Sequence, residues 1–388
     1  MNWKSLTPLL LIVFVDILGM MMIIPLLPFF AMKLGASVFE TGVITASYAA
    51  MQIIFSPILG RLSDRWGRKK LLILSQFFLA SGFFFLASAS SVAFVFFARI
   101  LSGIGAGNLS LVQAMISDTT TDENRTKAFG LFGAVFGLAL TVGPAVSGAL
   151  AKISWSVPIY SSFAVSCLSI VLSLLLLPNG LPSKGKGPAL STVVKKFLVQ
   201  PLPRQCFLQF IFFFCSFAFL ISGLGLIMET RFTNSQGEKY GPSEVGYLFG
   251  ALGIIGILIQ GFMLPRLEKM FGDKNLSSAG FLLTLLGYLG VGLSHNQVIF
   301  FLACAIFGVG NSLIRPTVTS RLTKSLHKSE EGLALGFSSS LQSLAQVLCP
   351  PLGAWFIQQQ WIPQLGFLMA GLSLMGYFAG VKRYDSVA

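Results

Sequence analysis

Charged residues are scarce in this chain and make up only 11% of its 388 residues. A soluble domain carries roughly 25% charged residues, so the composition excludes a water-facing surface of ordinary size. Hydrophobic residues reach 54%, and the mean hydropathy is +0.79. These values predict a chain that is surrounded by lipid over most of its length, and not a string of soluble domains.

Acidic residues and histidines are also few: 14 Asp and Glu stand against 27 Lys and Arg, and there are two histidines. The net charge of +13 does not indicate a nucleic-acid partner, because the basic residues lie in short connectors and form no exposed polar surface. His295 and His327 fall in connectors that we predict to lie on opposite sides of a membrane. The five cysteines have no metal-ligand spacing. We therefore expect no metal, no cofactor and no enzyme active site.

A helix needs about 20 mainly apolar residues to cross a bilayer, and the chain contains twelve runs of this kind. Such runs predict helices, because transmembrane strands are about half as long and alternate apolar with polar residues. The predicted fold class is an all-α membrane protein with twelve transmembrane helices. The runs cover residues 6–31, 39–60, 71–90, 92–117, 127–151, 156–177, 206–227, 243–264, 275–294, 297–320, 331–354 and 361–381.

The distribution of basic residues predicts the orientation of these spans. If the N-terminus is inside, most of the 27 Lys and Arg residues fall in inner connectors. By the positive-inside rule, both termini are then cytoplasmic. The longest connector, 178–205, is rich in Lys, Pro, Gly and Ser and has no acidic residue, so we interpret it as a cytoplasmic linker.

This linker divides the chain into two predicted bundles of six helices, 1–177 and 206–388. Residues recur at a nearly constant spacing between the two halves. Pro144 and Pro350 are 206 positions apart, and the paired glycines of spans four and ten are 205 positions apart. Repeated halves are typical of transporters that hold a substrate near the membrane midplane.

A pattern of glycine, acid and base stands out between spans two and three: Gly60-Arg-Leu-Ser-Asp64-Arg65-Trp66-Gly67-Arg68-Lys69-Lys70. The glycines permit a tight turn and close helix approach. The acid can accept charge-assisted hydrogen bonds, and the basic side chains supply donors on the inner surface. This order is more specific than an ordinary positive-inside loop.

This loop resembles the signature motif of the major facilitator superfamily, and the resemblance covers the whole chain. Within that superfamily the sequence is most similar to the twelve-span drug:proton antiporters, and to the tetracycline efflux proteins in particular. The resemblance implies two pseudo-symmetric six-helix bundles, a monomer in a bacterial inner membrane, and proton-coupled export of a small, drug-like molecule by alternating access. Three further segments carry it: Asp16-Ile-Leu-Gly19 with Pro25-Leu-Leu-Pro28 in span one, Arg99-Ile-Leu-Ser-Gly103-Ile-Gly105 in span four, and Gly137, Gly143-Pro144 and Gly148 in span five.

Asp16 lies about ten residues into span one, which places it near the bilayer midplane. A charge at that depth costs roughly 3 kcal/mol or more, so the side chain should face a cavity or a partner. Arg99 of span four lies at a similar depth. We hypothesise that Asp16 and Arg99 share a buried polar network, and that Asp16 gains and loses a proton during transport. A static ion pair is the alternative.

Asp118 ends span four at the inner face. The resemblance implies that it contacts Arg65 or Arg68 and so latches the cytoplasmic side. A solvated cap at the helix end is the alternative.

The small residues of span five would let that helix bend and approach a neighbour, as ordinary small-residue packing also would. Two departures from the resembled group stand out. Ala149 occupies the position of a second glycine in the span-five motif, and span nine, 275–294, has no carboxylate where the tetracycline exporters carry one. The second departure weakens an assignment to tetracycline itself.

Polar residues within the spans are the candidates for binding substrate in a central cavity: Asn108, Gln113, Gln209, Asn311, Arg315 and Gln342. For Arg315, a position near the inner surface where the side chain snorkels is the alternative.

The sequence thus favours a secondary active exporter driven by protons. The alternative is a metabolite or siderophore transporter, in either direction, without drug specificity. A membrane sensor that does not transport is a remote alternative. The expected partners are a small molecule, protons and the lipid bilayer.

Overall fold

The computed structural model describes residues 3–120, 122–178, 199–233, 237–326 and 328–381. Ten stretches of these residues are long and apolar enough to cross a membrane. One of them, Pro242–Leu293, runs for 52 residues and contains a turn at Gly272, so it holds two predicted spans. Lys328–Gln358 is a further helix, of 31 residues, at the predicted eleventh span. All twelve predicted spans are therefore helical, and the all-α fold class is confirmed.

The first eight helices lie in the N-terminal half of the chain. They are α1 (Trp3–Ile23), α2 (Leu27–Lys33), α3 (Val38–Trp66), α4 (Arg68–Ala87), α5 (Val92–Gly105), α6 (Asn108–Thr119), α7 (Asp122–Ala151) and α8 (Ser156–Leu176).

The remaining helices lie in the C-terminal half, and a π-helix, Leu258–Met263, interrupts the predicted eighth span. A single π turn widens the hydrogen-bond ladder of a helix and bends it locally. The α-helices are α9 (Pro201–Arg231), α10 (Pro242–Ile257), α11 (Leu264–Leu293), α12 (Gln297–Lys324), α13 (Lys328–Gln358) and α14 (Ile362–Val381).

The chain forms two compact units. Unit 1 comprises Met1–Gly185 with Met228–Gly253, and unit 2 comprises Lys186–Ile227 with Ile254–Ala388. The division into bundles 1–177 and 206–388 stays a prediction. Residues 179–198 of the predicted linker lie outside the described residues.

Two predicted spans are each made of two helices. Span one breaks between α1 and α2, where Pro25 follows Ile24 and Pro28 lies in the first turn of α2. Proline lacks the N–H that an α-helix needs and disfavours helical geometry in the residue before it, which explains the break. Span four breaks at Ala106 and Gly107, between α5 and α6.

The core of unit 1 surrounds α1, which packs against α6, α7 and α8. Leu9, Ile12 and Val13 of α1 belong to a buried apolar cluster that includes Leu111 of α6 and Ala139 of α7. Helix α4 packs against α5 and α8. Asp16 therefore lies on a helix that is enclosed on several sides by other helices of unit 1.

Close helix contacts in unit 1 depend on glycines. A Cβ atom at Gly105 would lie 2.5 Å from the backbone nitrogen of Leu79 in α4, whereas a Cβ at Gly130 would meet nothing within 4 Å. We predict that Gly105→Ala lowers the free energy of unfolding by about 1–3 kcal/mol through overpacking. Gly130→Ala is the matched control and should leave stability unchanged or raise it slightly, because alanine is the better helix former. Thermal unfolding of the purified variants measures both, and equal melting temperatures would contradict the packing.

Candidate functional site

Asp16 is buried in the middle of α1, with 3% of its surface exposed. Its carboxylate accepts hydrogen bonds from two neutral amides. Asn108 of α6 donates from Nδ2 to Oδ2 over 2.8 Å, and Gln76 of α4 donates from Nε2 to Oδ2 over 3.2 Å. Among the residues whose side chains the structure describes, Asp16 is the one carboxylic acid near the middle of a span.

The break in span four positions Asn108. This residue opens α6 directly after Ala106 and Gly107, where span four breaks. Its Oδ1 accepts a hydrogen bond of 2.8 Å from the Leu109 backbone, which orients the amide and directs Nδ2 toward Asp16. Asn108, proposed from sequence as a substrate ligand, therefore contacts the central carboxylate in this structure.

Gln76 is the second amide beside Asp16, and Ser169 of α8 is a further hydrogen-bond partner of the acid; the sequence interpretation missed both. The Gln76 Nε2 also donates to Ser169 Oγ over 2.8 Å, whereas the Gln76 Oε1 is buried and has no hydrogen-bond partner. A signal was present, because Gln76 is the one amide side chain in the apolar run 71–90.

Arg99 is buried, with 6% exposure, but it is not paired with Asp16. Its guanidinium lies over the ring of Tyr48, 4.4 Å from the centroid, and its Nε has no hydrogen-bond partner. The Tyr48 hydroxyl donates to the Met20 sulfur over 3.3 Å. A direct Asp16–Arg99 ion pair is thus not formed here: amides surround the acid, and an aromatic ring lies against the base.

The loop between α3 and α4 is organised by Arg68. Its Nε lies 2.6 Å from Asp118 Oδ2, its second guanidinium nitrogen lies 3.2 Å from Asp64 Oδ1, and a third contact of 3.2 Å reaches Ser63 Oγ. The side chains of Arg68 and Asp118 are 10% and 7% exposed. Of the two bases considered from sequence, Arg68 is therefore the partner of Asp118, and Arg65 is exposed.

The two glycines of this loop differ in backbone conformation. Gly67 has φ 92° and joins α3 to α4, a conformation that residues other than glycine rarely adopt. The expectation of close helix approach at Gly60 and Gly67 is wrong in this structure, because a Cβ at either position would meet nothing within 4 Å. Lys69 contributes a further contact: its Nζ donates to the Leu174 and Leu177 carbonyls at the end of α8.

Unit 2 contains a counterpart of this loop with the charges exchanged. Gly272 has φ 73° and lies 205 positions after Gly67. The residue after it, Asp273, lies 2.6 Å from Lys324 at the end of α12 and also accepts from Ser320 Oγ. In unit 1 the base Arg68 follows the glycine and the acid Asp118 lies at the end of α6. In unit 2 the acid Asp273 follows the glycine and the base Lys324 lies at the end of α12.

The span-five glycines of α7 are not equivalent. A Cβ at Gly143 would lie 2.6 Å from Met21 Cβ of α1, and a Cβ at Gly148 would lie 2.9 Å from the Cα of Gly246, also in unit 1. The Pro144 carbonyl would be 2.8 Å from a Cβ at Gly246. Gly137 has no neighbour within 4 Å of such a Cβ. Close packing therefore involves the second half of the motif.

The remaining cavity candidates occupy different surroundings. Gln209 is fully buried inside unit 2, where its Oε1 accepts from Arg321 over 2.9 Å and its Nε2 donates to the Gly376 carbonyl. Its amide thus bonds within the bundle and is not free for a substrate. The other four keep accessible surface: Gln113, Asn311 and Gln342 are half-buried, and Arg315 is exposed. Within the described residues, no group of three or more His, Cys, Asp and Glu could hold a metal ion.

The Arg68 contacts predict a contrast between two acids. Asp118→Asn should lower the free energy of unfolding by about 3–5 kcal/mol, because it leaves a largely buried guanidinium without its closest acid. Asp64→Asn is the matched control: the Asp64 side chain is 49% exposed, so its loss should cost at most about 1 kcal/mol. Chemical or thermal unfolding in the same detergent measures the difference, and equal losses would contradict it.

The α7 contacts predict a contrast between two glycines of one motif. Gly148→Leu should destabilise the protein by about 1–3 kcal/mol, since a side chain there meets the backbone of Gly246. Gly137→Leu should have little effect on the melting temperature. Similar losses at both positions would show that the two glycines are equally packed.

Comparison with known proteins agrees with this architecture. A model of the Major Facilitator Superfamily matches residues 9–327 and 236–384. Three curated relatives are Multidrug resistance protein 1 of Bacillus subtilis (29% identical; 90% of this chain and 88% of the relative covered), Tetracycline resistance protein, class H, of Pasteurella multocida (29%; 91% and 88%), and Quinolone resistance protein NorA of Staphylococcus aureus (24%; 94% and 92%).

Two solved structures share the fold over nearly the whole chain. The human organic anion transporter MFSD10 has a TM-score of 0.73 at 19% identity, with 97% of this chain and 99% of that chain covered. The nucleoside transporter NupG, solved as a mutant, has a TM-score of 0.77 at 13% identity, with 98% and 99% covered. The family model covers far more than half of the sequence, and so this chain belongs to the major facilitator superfamily.

Proposed function

We propose that this protein is a secondary active transporter that exports small, drug-like molecules in exchange for protons, by alternating access. Asp16 carries the proton. The alternating-access cycle exposes the substrate site first to one side of the membrane and then to the other.

The observation that carries this proposal is the neutral surroundings of Asp16. An acid held by a fixed arginine would stay charged throughout the cycle, whereas Asp16 contacts the amides of Asn108 and Gln76. These amides donate to the carboxylate form. After protonation, a rotation of the Gln76 amide brings its unpartnered Oε1 into position to accept from the acid. Both protonation states can therefore be hydrogen-bonded, as a carrier of protons requires.

The relatives support export of small molecules. Their names describe resistance to multiple drugs, to tetracycline and to quinolones. The two solved structures of the same fold are named as transporters of organic anions and of nucleosides. No observation favours a metabolite or siderophore over a drug-like substrate. The missing carboxylate in span nine leaves tetracycline itself without specific support.

The Arg68–Asp118 pair is suited to control opening at the cytoplasmic side. It ties the first residue of α4 to the end of α6, and Gly67 supplies the turn that lets α4 begin there. We propose that this pair forms when the cytoplasmic side is closed and breaks when it opens. The exchanged pair Asp273–Lys324 would serve unit 2 in the same way.

The apolar helices and the family together make this an integral multi-pass membrane protein. We further propose that it works as a monomer in a bacterial inner membrane, with both termini in the cytoplasm. The positive-inside pattern supports this orientation, and the named resistance proteins come from bacteria.

Asp16→Asn should abolish coupling to protons. In proteoliposomes with an imposed pH gradient, wild-type protein should accumulate a quinolone, and the variant should lose gradient-driven accumulation on the order of 10²-fold. Exchange of labelled for unlabelled drug without a gradient should persist, because it needs no net proton movement.

Glu268→Gln is the control for this test, since Glu268 lies in unit 2, near the start of α11, and Asp16 lies in unit 1. Comparable amounts of folded protein must be incorporated for each variant. Gradient-driven accumulation by Asp16→Asn at the wild-type rate would remove Asp16 from the mechanism.

A further inference from the structure

The face of α8 that points into unit 1 is lined by serines. Ser162, Ser166, Ser169 and Ser173 are each completely buried. At about 100° per residue they fall within an arc of about 60° on the helix surface. Helix α8 packs against α1 and α4, the helices that carry Asp16 and Gln76.

The hydroxyls of this face do not all form the bond that a helical serine usually makes. Ser162 donates to the Pro158 carbonyl one turn before it, as Ser102 does to Ala98. Ser166 and Ser173 have no hydrogen-bond partner, and Ser169 accepts from Gln76. A buried hydroxyl without a partner costs about 1–3 kcal/mol, so these groups require an explanation.

The unpartnered atoms lie on either side of the central acid. Ser166 is one turn toward the outer end of α8 and Ser173 one turn toward the inner end, with Ser169 between them. The Gln76 Oε1, also buried and unpartnered, adds a third such atom beside Asp16. On α1, Gly19 faces this part of α8: a Cβ there would be 3.3 Å from the Ser162 carbonyl oxygen and 3.5 Å from Ser166 Oγ. Buried polar groups of this kind are typically satisfied by water.

The inner end of this face reaches the cytoplasmic surface. Ser173 lies one turn before Leu177, whose carbonyl accepts a hydrogen bond of 2.6 Å from Lys69 Nζ in the cytoplasmic loop. Ser169 and Ser173 are separated by about 6 Å along the helix, too far for a direct hydrogen bond but suitable for one or two bridging waters.

We propose that the serine face of α8, Ser166, Ser169 and Ser173, holds a short file of water molecules that conducts the Asp16 proton to the inner membrane surface through the interior of unit 1. The proton leaves the Asp16 carboxyl for the first water. Each water or hydroxyl accepts one proton and passes on another, so no bond other than O–H changes. The inference rests on the proposed function, because it supplies the route for the proton that Asp16 carries.

Few charged groups lie near this route. Arg99 of α5 lies over the ring of Tyr48 in α3 and does not contact Asp16. The apolar run of α8 and residues 128–151 of α7 have no charged residue. The basic residues of α4 all lie in its first turn. Helix α6 carries one acid, Asp118, which Arg68 binds at the inner surface. Lys69 stands at the inner end, where its charge opposes the storage of a proton and favours release.

The test measures how fast Asp16 exchanges its proton and needs no transported substrate. Full-length protein in vesicles is subjected to a rapid pH jump, and time-resolved infrared spectroscopy follows the carbonyl stretch of the protonated acid. The band is assigned by its loss in Asp16→Asn. In Ser173→Ala, the rate at which this band changes after the pH jump should fall on the order of 10²-fold. This is the lower end of what a positioned proton-transfer group contributes.

Two variants control for a merely structural effect. Ser162→Ala removes an equally buried hydroxyl of the same face that already has a backbone partner, and it should leave the rate unchanged. Ser173→Thr keeps a hydroxyl and should restore the wild-type rate. If the Asp16 band is present and changes at the same rate in Ser173→Ala and in wild type, the water file is wrong but the proposed function stands. The absence of any Asp16-dependent band would overturn the proposed function together with it.

Discussion

The structure of unit 1 depends on one constraint: a carboxyl group is held in the middle of a membrane-spanning helix without a cation bound to it. Such a group costs roughly 3 kcal/mol or more if it is charged and unsupported. Here the cost is met by neutral amides from α4 and α6, and both amides owe their position to local backbone features. The break of span four brings Asn108 to the start of a helix, and Gly105 of α5 lets α4 pack closely at Ser75, the residue next to Gln76.

Charge pairs lie at the ends of the helices instead: Arg68 and Asp118 are largely buried, whereas Lys324 of the second pair is exposed. The two units use the same backbone device, a glycine with positive φ before a helical turn, and the same pair length of 2.6 Å. The exchange of acid and base between Arg68–Asp118 and Asp273–Lys324 leaves the contact intact although the surrounding residues differ. A motif search based on residue type would miss the second pair.

Much of the fold could be predicted from the sequence, because hydropathy and helix length leave few solutions in a bilayer. The burial of Asp16 and the pairing of Asp118 with a loop arginine also followed from span depth and from the resemblance. The identity of the partners of Asp16 did not. Arg99 was expected near Asp16 on depth alone, but depth does not tell which way a side chain points around the helix axis. Gln76 was overlooked although it interrupts an apolar run, and Gln209 was assigned to a cavity although it bonds within its own bundle.

The central claim is that Asp16 changes its protonation state within its amide surroundings. The most direct measurement is an NMR titration of the side-chain carboxyl carbons in protein labelled with ¹³C-aspartate. We expect one aspartate resonance to titrate separately from those of the surface acids and to be missing in Asp16→Asn. A set of titrating resonances that is identical in the two proteins would show that Asp16 keeps one protonation state, and would contradict the account.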